Sequence, residues 1–405
     1  MITVQEAEEI ILSQVKDYGH EPVAFEQALG RVLAVDITAD RDLPPCDRVT
    51  MDGIAIAFAA FEAGSRSFSV KAIIAAGSKP TDITQPDECV EIMTGAALPA
   101  TTDTVIRYED VEIKDGFAKL LTENIKKGQN IHNKGKDRKQ NDIVTAANQV
   151  VTPALISMAA SVGKSILQVK KVPTVVVVST GNELVDVADS PTPYQVRRSN
   201  SYAIKAALQQ YGAQPDLLHI ADEPTVIKNE IGKCLAKYDV IILSGGISMG
   251  KFDYVPQVLD ELKVEKLFQK VKQRPGKPFW FGKHQNGVLV FAFPGNPVST
   301  FMCLYRYFLP WLNACLKGLD IASQPKGAYA MLNEDVVFAP ELTYFAQVKL
   351  KLCKHGHLHA TPIEGHGSGD FANLLDTDAF IELPMEKSNF KKDELYRVWP
   401  FKQVL

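Results

Sequence analysis

Three stretches of this chain share one pattern, and together they limit the folds open to it. Residues 239–255 (DVIILSGGISMGKFDYV), 174–185 (TVVVVSTGNELV) and 288–299 (VLVFAFPGNPVS) each contain a short unbroken apolar run that ends in a polar, glycine-bearing turn. An apolar run without alternation is what a parallel strand covered on both faces requires. Glycine and serine at a strand's carboxyl end allow close backbone approach and present N–H and O–H groups to anionic oxygens. Three such endings predict one ligand crevice at the carboxyl edge of an open sheet. Its walls would be Ser179, Thr180 and Gly181, then Ser244, Gly245, Gly246 and Ser248, then Pro294, Gly295 and Asn296.

The rest of the pattern places that sheet within a longer, multidomain α/β plus β chain. At 405 residues, roughly two to four domains are expected. Thr3 and Glu6 form a capping-box pattern before apolar residues at helical spacing (Val4, Ala7, Ile10, Ile11, Val15), so the amino terminus reads as a helix and not as a signal peptide. A second short helix is predicted over 24–35. Residues 50–137 alternate β-friendly runs with Gly, Pro and Asp, which predicts a small β domain. A helix over 154–163, started by Thr152-Pro153, would pack back on the first helices and make that β domain an insertion. Between 170 and 316, strands at 174–179, 216–220, 239–244 and 288–293 alternate with helices at 199–211 (Ser199 as N-cap), 224–237, 254–263 and 297–316. That alternation predicts βαβ units and a parallel sheet. The runs after Gly318 predict a small, barrel-like carboxyl-terminal β domain.

Charge and cysteines remove several function classes. The balance of 44 basic and 48 acidic residues gives a net charge of −4, which argues against a general nucleic-acid binder. Cys46, Cys89, Cys234, Cys303, Cys315 and Cys353 are scattered with no Cys-x-x-Cys pair, so a structural zinc site or a disulfide framework is not expected and a reducing, cytoplasmic setting is. No apolar run approaches the roughly 18 residues of a membrane helix.

Several side chains carry chemistry. Glu183, Asp222 and Asp253 follow strands and could hold Mg²⁺ together with phosphate oxygens; each could equally cap a helix. Lys270, Lys272, Arg274, Lys277 and Lys283 surround a Pro-Gly turn that would suit phosphate or an oxyanion, or form a solvated basic face. Asp52 precedes a glycine at a likely turn, and Thr94 lies in a second turn (MTGAALP). The basic stretch 126–139, which contains Asp137, is a solvated surface or, in a crevice, an anion wall. His355, His357 and His359 suggest a metal cluster, but they lack supporting acids or cysteines and read as an exposed hairpin turn.

These motifs closely resemble the molybdopterin molybdenumtransferase family, of the MoeA and gephyrin E-domain type. LPPCDRVTMDG (43–53), MTGAALP (93–99), DTVIRYEDV (103–111), VVSTGNELV (177–185), RRSNSY (197–202), SGGISMGKFDYV (244–255), RPGKP (274–278), PGNPVS (294–299) and GHGSGDF (365–371) occur in family order. The resemblance implies a helical linker domain (1–41 and 138–168), an inserted β domain (42–137), a molybdopterin-binding α/β domain (169–318) and a carboxyl-terminal β domain (319–405). It implies an elongated homodimer, with the β domain of one subunit facing the α/β domain of the other. It implies insertion of molybdate into adenylylated molybdopterin with release of AMP and a requirement for Mg²⁺, with a molybdopterin adenylyltransferase as the substrate donor. It assigns Asp52, Asp137, Glu183, Asp222 and Asp253 as the important acids, alongside Thr94, Lys270, Arg274 and Ser368. Asn182, His132, Arg274 and Ile54 stand where the family pattern has Asp, Arg, Lys and Tyr.

Two other functions share parts of this pattern. A molybdopterin adenylyltransferase would need only the α/β domain. A non-catalytic scaffold could keep the whole fold, although retention of the acids argues against it.

Overall fold

The computed structural model describes residues 1–247, 254–318 and 328–402. The chain forms two compact units. One comprises Met1–Pro22, Gly30–Ala34 and Gln168–Leu405, the other Val23–Leu29 and Val35–Leu167.

The larger unit is built on a six-stranded sheet. Asp216–Ile220, Val175–Thr180, Val240–Ser244 and Leu289–Phe293 lie side by side and parallel, followed by Trp280–His284, antiparallel to Leu289–Phe293, and Val264–Gln269, antiparallel in turn to Trp280–His284. The first three strands in the chain take the spatial order second, first, third. The direction of winding therefore switches between Val175–Thr180 and Val240–Ser244, where an open sheet leaves a crevice. Register aligns the strand ends: Ser179 pairs with Ser244, and Ser244 with Phe293.

The unbroken apolar runs are explained by burial on both faces. Val175, Val177, Val240, Ile242, Phe291 and Phe293 pack into a core with Phe308 and Trp311. Their neighbours Val176, Val178, Ile241, Leu243, Val290 and Ala292 enter a second core with Ile227, Ile231 and Leu259. Two of the covering helices, Pro224–Lys237 and Val255–Glu261, supply that second core.

Some local expectations change. The sheet is mixed, because strands form over 264–269, to which the sequence assigns no element, and over 280–284, at the end of the basic stretch around the Pro-Gly turn. The predicted helix over 24–35 is only a single 3-10 turn, Phe25–Gln27. Gly30 adopts φ +79°, and Leu33 bridges Val169 in extended form, which a helix would forbid. Helix Asn200–Gln209 begins as expected, but the Ser199 side chain makes no capping bond. The last long helix runs as Pro297–Cys303, a π turn Leu304–Phe308, then Leu309–Lys317. Pro310 lacks the N–H that an uninterrupted α-ladder would use, and the π turn falls just before it.

The carboxyl-terminal sheet closes on itself. Thr343–Leu352, Leu358–Pro362, Ala328–Leu332, Leu395–Pro400 and Ala379–Leu383 are neighbours in that order, and Ala379–Leu383 returns to Thr343–Leu352. Closure leaves no free edge in this five-stranded ring. Gln273–Arg274 adds in parallel beside Thr343 and Tyr344, which fixes the Pro-Gly turn against the barrel. A buried ion cluster ties the parts of this unit together. Arg306, 2% exposed, meets Glu8 at 2.8 Å and Glu382 at 3.1 Å and stacks on Trp399. Burial works against its charge, but Glu382 and Glu8 hold its pKa above the ordinary arginine value. His355 lies on the exposed turn between two barrel strands, His357 at its exposed end, and His359 bonds Asn333 at 3.0 Å.

The smaller unit is a six-stranded mixed sheet. Its order is Thr104–Arg107, Gly53–Ile56, Glu88–Ile92, Ser67–Ile74, Phe117–Leu120 and Val111–Lys114. Helix Pro153–Ser161 starts at Thr152, whose hydroxyl accepts the Leu155 N–H. Among the described residues, no helix is long and apolar enough to cross a membrane.

Candidate functional site: a cleft at the strand ends

The larger unit contains a cleft of about 1450 Å³ at the carboxyl ends of its parallel strands. Ser179, Thr180 and Gly181 line it, as do Ser244, Gly245 and Gly246, and Pro294, Gly295 and Asn296. Glu183, Asp222, Arg274, Lys277 and Ser368 also face this cleft. Lys270 is not among the lining residues; its carbonyl accepts the Ile2 N–H. Ser248 and Asp253 lie outside the described residues.

Hydrogen bonds between loops assemble these walls. Asn200 Nδ2 donates to Ser244 Oγ at 2.9 Å, to the Gly295 carbonyl at 2.8 Å and to Thr300 Oγ1 at 3.3 Å. One side chain thereby joins the start of a helix to two strand-end turns. Asn296 Nδ2 donates to Ser368 Oγ at 2.8 Å, and the Val298 N–H donates to the Ser368 carbonyl, so the GHGSGDF loop docks on the PGNP turn. The Glu183 carboxylate folds back over Gly181. A Cβ added there would come within 2.6 Å of Glu183 Oε2, and φ is +144°, so only glycine admits this fold-back.

The Arg274–Lys277 turn is held from beneath. The Tyr307 hydroxyl donates to Gln273 Oε1, and Gln273 Nε2 donates to the Gly276 carbonyl at 3.0 Å. Gly276 has φ +85°, and a Cβ there would meet Met302 Cε at 2.8 Å. Burial pushes the Tyr307 hydroxyl well above the ordinary tyrosine range, so it stays a donor. The two basic side chains are thus presented on a rigid loop.

Sequence reasoning singled out neither Arg197 and Arg198 as site residues nor Ser201. All three line the cleft. The run RRSNSY at a helix start was the available signal. With Arg274 and Lys277, four basic side chains among the described residues line the cleft, against the carboxylates of Glu183 and Asp222, with Arg198 itself paired to Asp186. A chain of net charge −4 therefore presents a locally positive cavity, which suits an anionic ligand. Four buried polar atoms on its walls have no partner among the described residues: Thr180 Oγ1, Ser201 Oγ, Arg198 Nε and Gln347 Oε1. Orphaned buried groups of this kind are what a bound polar ligand would satisfy.

Asp52, Thr94 and Asp137 belong to the smaller unit. Asp52 Oδ1 accepts the Thr94 N–H at 2.6 Å and the Thr94 hydroxyl at 2.7 Å. The backbone bond first, then the hydroxyl, hold the Asp52 carboxyl below the usual carboxylate range. Gly53 follows because a Cβ there would lie 1.9 Å from the Ile106 carbonyl oxygen. Asp137 Oδ1 lies 2.9 Å from His132 Nε2.

Fold and cleft together define a multidomain α/β plus β protein with a cleft lined by basic and polar groups at its sheet edge. Three family models match successive segments. "MoeA N-terminal region (domain I and II)" covers residues 2–163, "Probable molybdopterin binding domain" covers 176–314, and "MoeA C-terminal region (domain IV)" covers 329–401. The molybdopterin molybdenumtransferase of Synechocystis sp. is 38% identical over 399 residues, spanning 98% of this chain and 99% of the relative. The molybdopterin molybdenumtransferase of Staphylococcus aureus is 31% identical over 396 residues, spanning 96% and 93%. The crystal structure of the molybdopterin biosynthesis MoeA protein from Pyrococcus horikosii matches with a TM-score of 0.83 at 28% identity, over 100% of both chains. The chain belongs to the molybdopterin molybdenumtransferase family.

Proposed function

We propose that the chain inserts molybdate into adenylylated molybdopterin and releases AMP. The observation that carries this reading is the cleft at the strand ends, where four basic side chains and two carboxylates among the described residues sit on loops cross-linked by hydrogen bonds. Such a site suits a reaction between two anions. Arg274 and Lys277 reduce the repulsion between an incoming oxyanion and a phosphorylated substrate, and Ser368, held by Asn296, adds a hydroxyl to the same cleft. Rigid placement of both reactants supplies much of the rate.

Among the described residues, no three His, Cys, Asp or Glu side chains gather into a metal cage. Two carboxylates facing a phosphate site nevertheless fit the donor set of Mg²⁺, which uses few protein ligands. Glu183 and Asp222 would hold it, and it would supply charge neutralisation for the phosphate oxygens.

The working form is a homodimer, and its adenylylated substrate comes from a molybdopterin adenylyltransferase. The four-part division at 41/42, 137/138, 168/169 and 318/319 belongs to the same reading. So does a cytoplasmic location, supported by six free thiols. Sedimentation should give twice the mass of the chain. The activity test supplies adenylylated molybdopterin, Mg²⁺ and molybdate and follows AMP.

A further inference from the structure

Arg306 and Tyr307 are neighbours in the π turn Leu304–Phe308, both buried, and their side chains serve different parts of the unit. Tyr307 supports the Arg274–Lys277 turn through Gln273. Arg306 reaches the two pieces of chain that flank that turn. On one side its Nη2 donates to Glu8 at 2.8 Å, in the first helix Val4–Leu12. Just ahead of that helix, the Ile2 carbonyl accepts the Lys272 N–H at 2.7 Å, and the Ile2 N–H donates to the Lys270 carbonyl at 3.1 Å. On the other side Arg306 Nε donates to Glu382 at 3.1 Å. Glu382 pairs with Phe345 across the barrel, and the adjoining Thr343 and Tyr344 pair with Gln273 and Arg274. The Trp399 indole N–H donates to the same Glu382 oxygen at 2.7 Å, and its ring lies against the guanidinium, which fixes the orientation of the fork. The strand that leads into the basic turn is thus strung between Ile2 and Thr343–Tyr344, and one guanidinium holds both supports.

We propose that Arg306 is a positioning residue for the Arg274–Lys277 turn: it fixes the spacing of the two supports and so sets where the two cations stand. It is 2% exposed and not among the residues lining the cleft, so it acts only through its neighbours. A guanidinium suits this task because its rigid fork serves two carboxylates at once, which the single ammonium of a lysine cannot do in the same geometry. Stability is a poor reason for the cluster. Apolar side chains of similar volume often match or exceed a buried ion cluster, and the best-attested use of such a cluster is to fix register. Arg306 Nη1 also has no partner among the described residues, a cost that a cluster built for stability would avoid. The assignment rests on the proposed function only for what the turn binds, namely molybdate.

The test compares the full chain with its Arg306→Lys and Glu8→Gln variants by amide hydrogen exchange and by calorimetric titration with molybdate. Arg306→Lys keeps the charge and loses the bridge. The N–H groups of Lys270, Val271 and Lys272 are bonded to the carbonyls of Phe279, Lys277 and Ile2. Their exchange should quicken in Arg306→Lys, while the core strand Val240–Ser244 keeps its protection. Molybdate should bind about fivefold more weakly, within the range by which residues without ligand contact tune a site. Glu8→Gln loosens one support only, so it should move both readings in the same direction by less. Unchanged exchange over 270–272 in both variants would overturn the proposal. So would exchange that quickens equally in Val240–Ser244, which would make Arg306 a stabilising group alone, or wild-type molybdate affinity on a loosened turn. Failure of the molybdenum-insertion reading looks different: the wild type neither binds molybdate nor releases AMP, and exchange over 270–272 still decides whether Arg306 holds the turn.

Discussion

The Asp222 N–H donates to the side-chain oxygen of Asn182 at 3.1 Å, stitching together the turns that follow two neighbouring parallel strands. Asn182 sits beside Glu183, so one amide orients the Asp222 turn without adding a carboxylate to Glu183 and Asp222 among the described cleft residues. Asn182→Ala should lower kcat/KM about three- to tenfold, the range of one modest hydrogen bond. Asn182→Asp keeps the acceptor but adds a carboxylate, so it should preserve kcat and raise the KM for molybdate. Steady-state kinetics on both variants separate the two effects; an unchanged alanine variant would contradict the positioning role.

Acid titration should expose the Asp52–Thr94 pair. The folded pKa of Asp52 is lowered, so its charged, hydrogen-bonded form persists above the unfolded value of about 4 and is lost only as pH falls through the lower folded value. Thr94→Val removes the hydroxyl bond and leaves the backbone N–H. Its Asp52 titration, followed by carboxylate NMR, should move part of the way back up. An identical titration would mean that the hydroxyl bond does not hold the charge.

The Arg274–Lys277 turn should be sensitive to changes beneath it. Tyr307→Phe leaves the fully buried Gln273 oxygen without its donor, which should cost about 1–3 kcal/mol in chemical unfolding. The KM for molybdate should also rise, since the turn carries both cations. A loss of stability with unchanged KM would uncouple the turn from the site.

Backbone fit at Gly276 gives a sharper case. An alanine there would face Met302 and Cys303 at under 3 Å, in a conformation with positive φ. Gly276→Ala should destabilise the chain by about 2–4 kcal/mol, read as a lower denaturation midpoint. Gly287, also at positive φ, has open space around it, so Gly287→Ala should cost clearly less.

The parallel strands were legible because burial on two faces leaves one composition. Four valines in Val175–Thr180 cannot alternate when residues on each face enter a core. The glycine turns after them were legible for the same local reason. Strand Val264–Gln269 was not, since its register shifts near Lys266 and its exposed positions break the pattern. The helix expected over 24–35 had helical spacing but is overridden by Gly30 and by a distant partner, Val169. Arg198 and Ser201 had a signal in the run RRSNSY, but their place on the cleft wall depends on Asn200 meeting Ser244 and Gly295, contacts far apart in the chain. The long-range bond from Asn296 to Ser368 supports a pairing that the motif order alone did not contain.

The most direct measurement of the central claim is AMP release from adenylylated molybdopterin with Mg²⁺ present, before and after molybdate is added. Release should begin on molybdate addition in the wild type. Glu183→Ala should remove most of it while keeping the wild-type melting temperature, because Glu183 is exposed at a loop end. AMP release that is independent of molybdate, or that is undiminished in Glu183→Ala, would contradict the assignment of this cleft to molybdenum insertion.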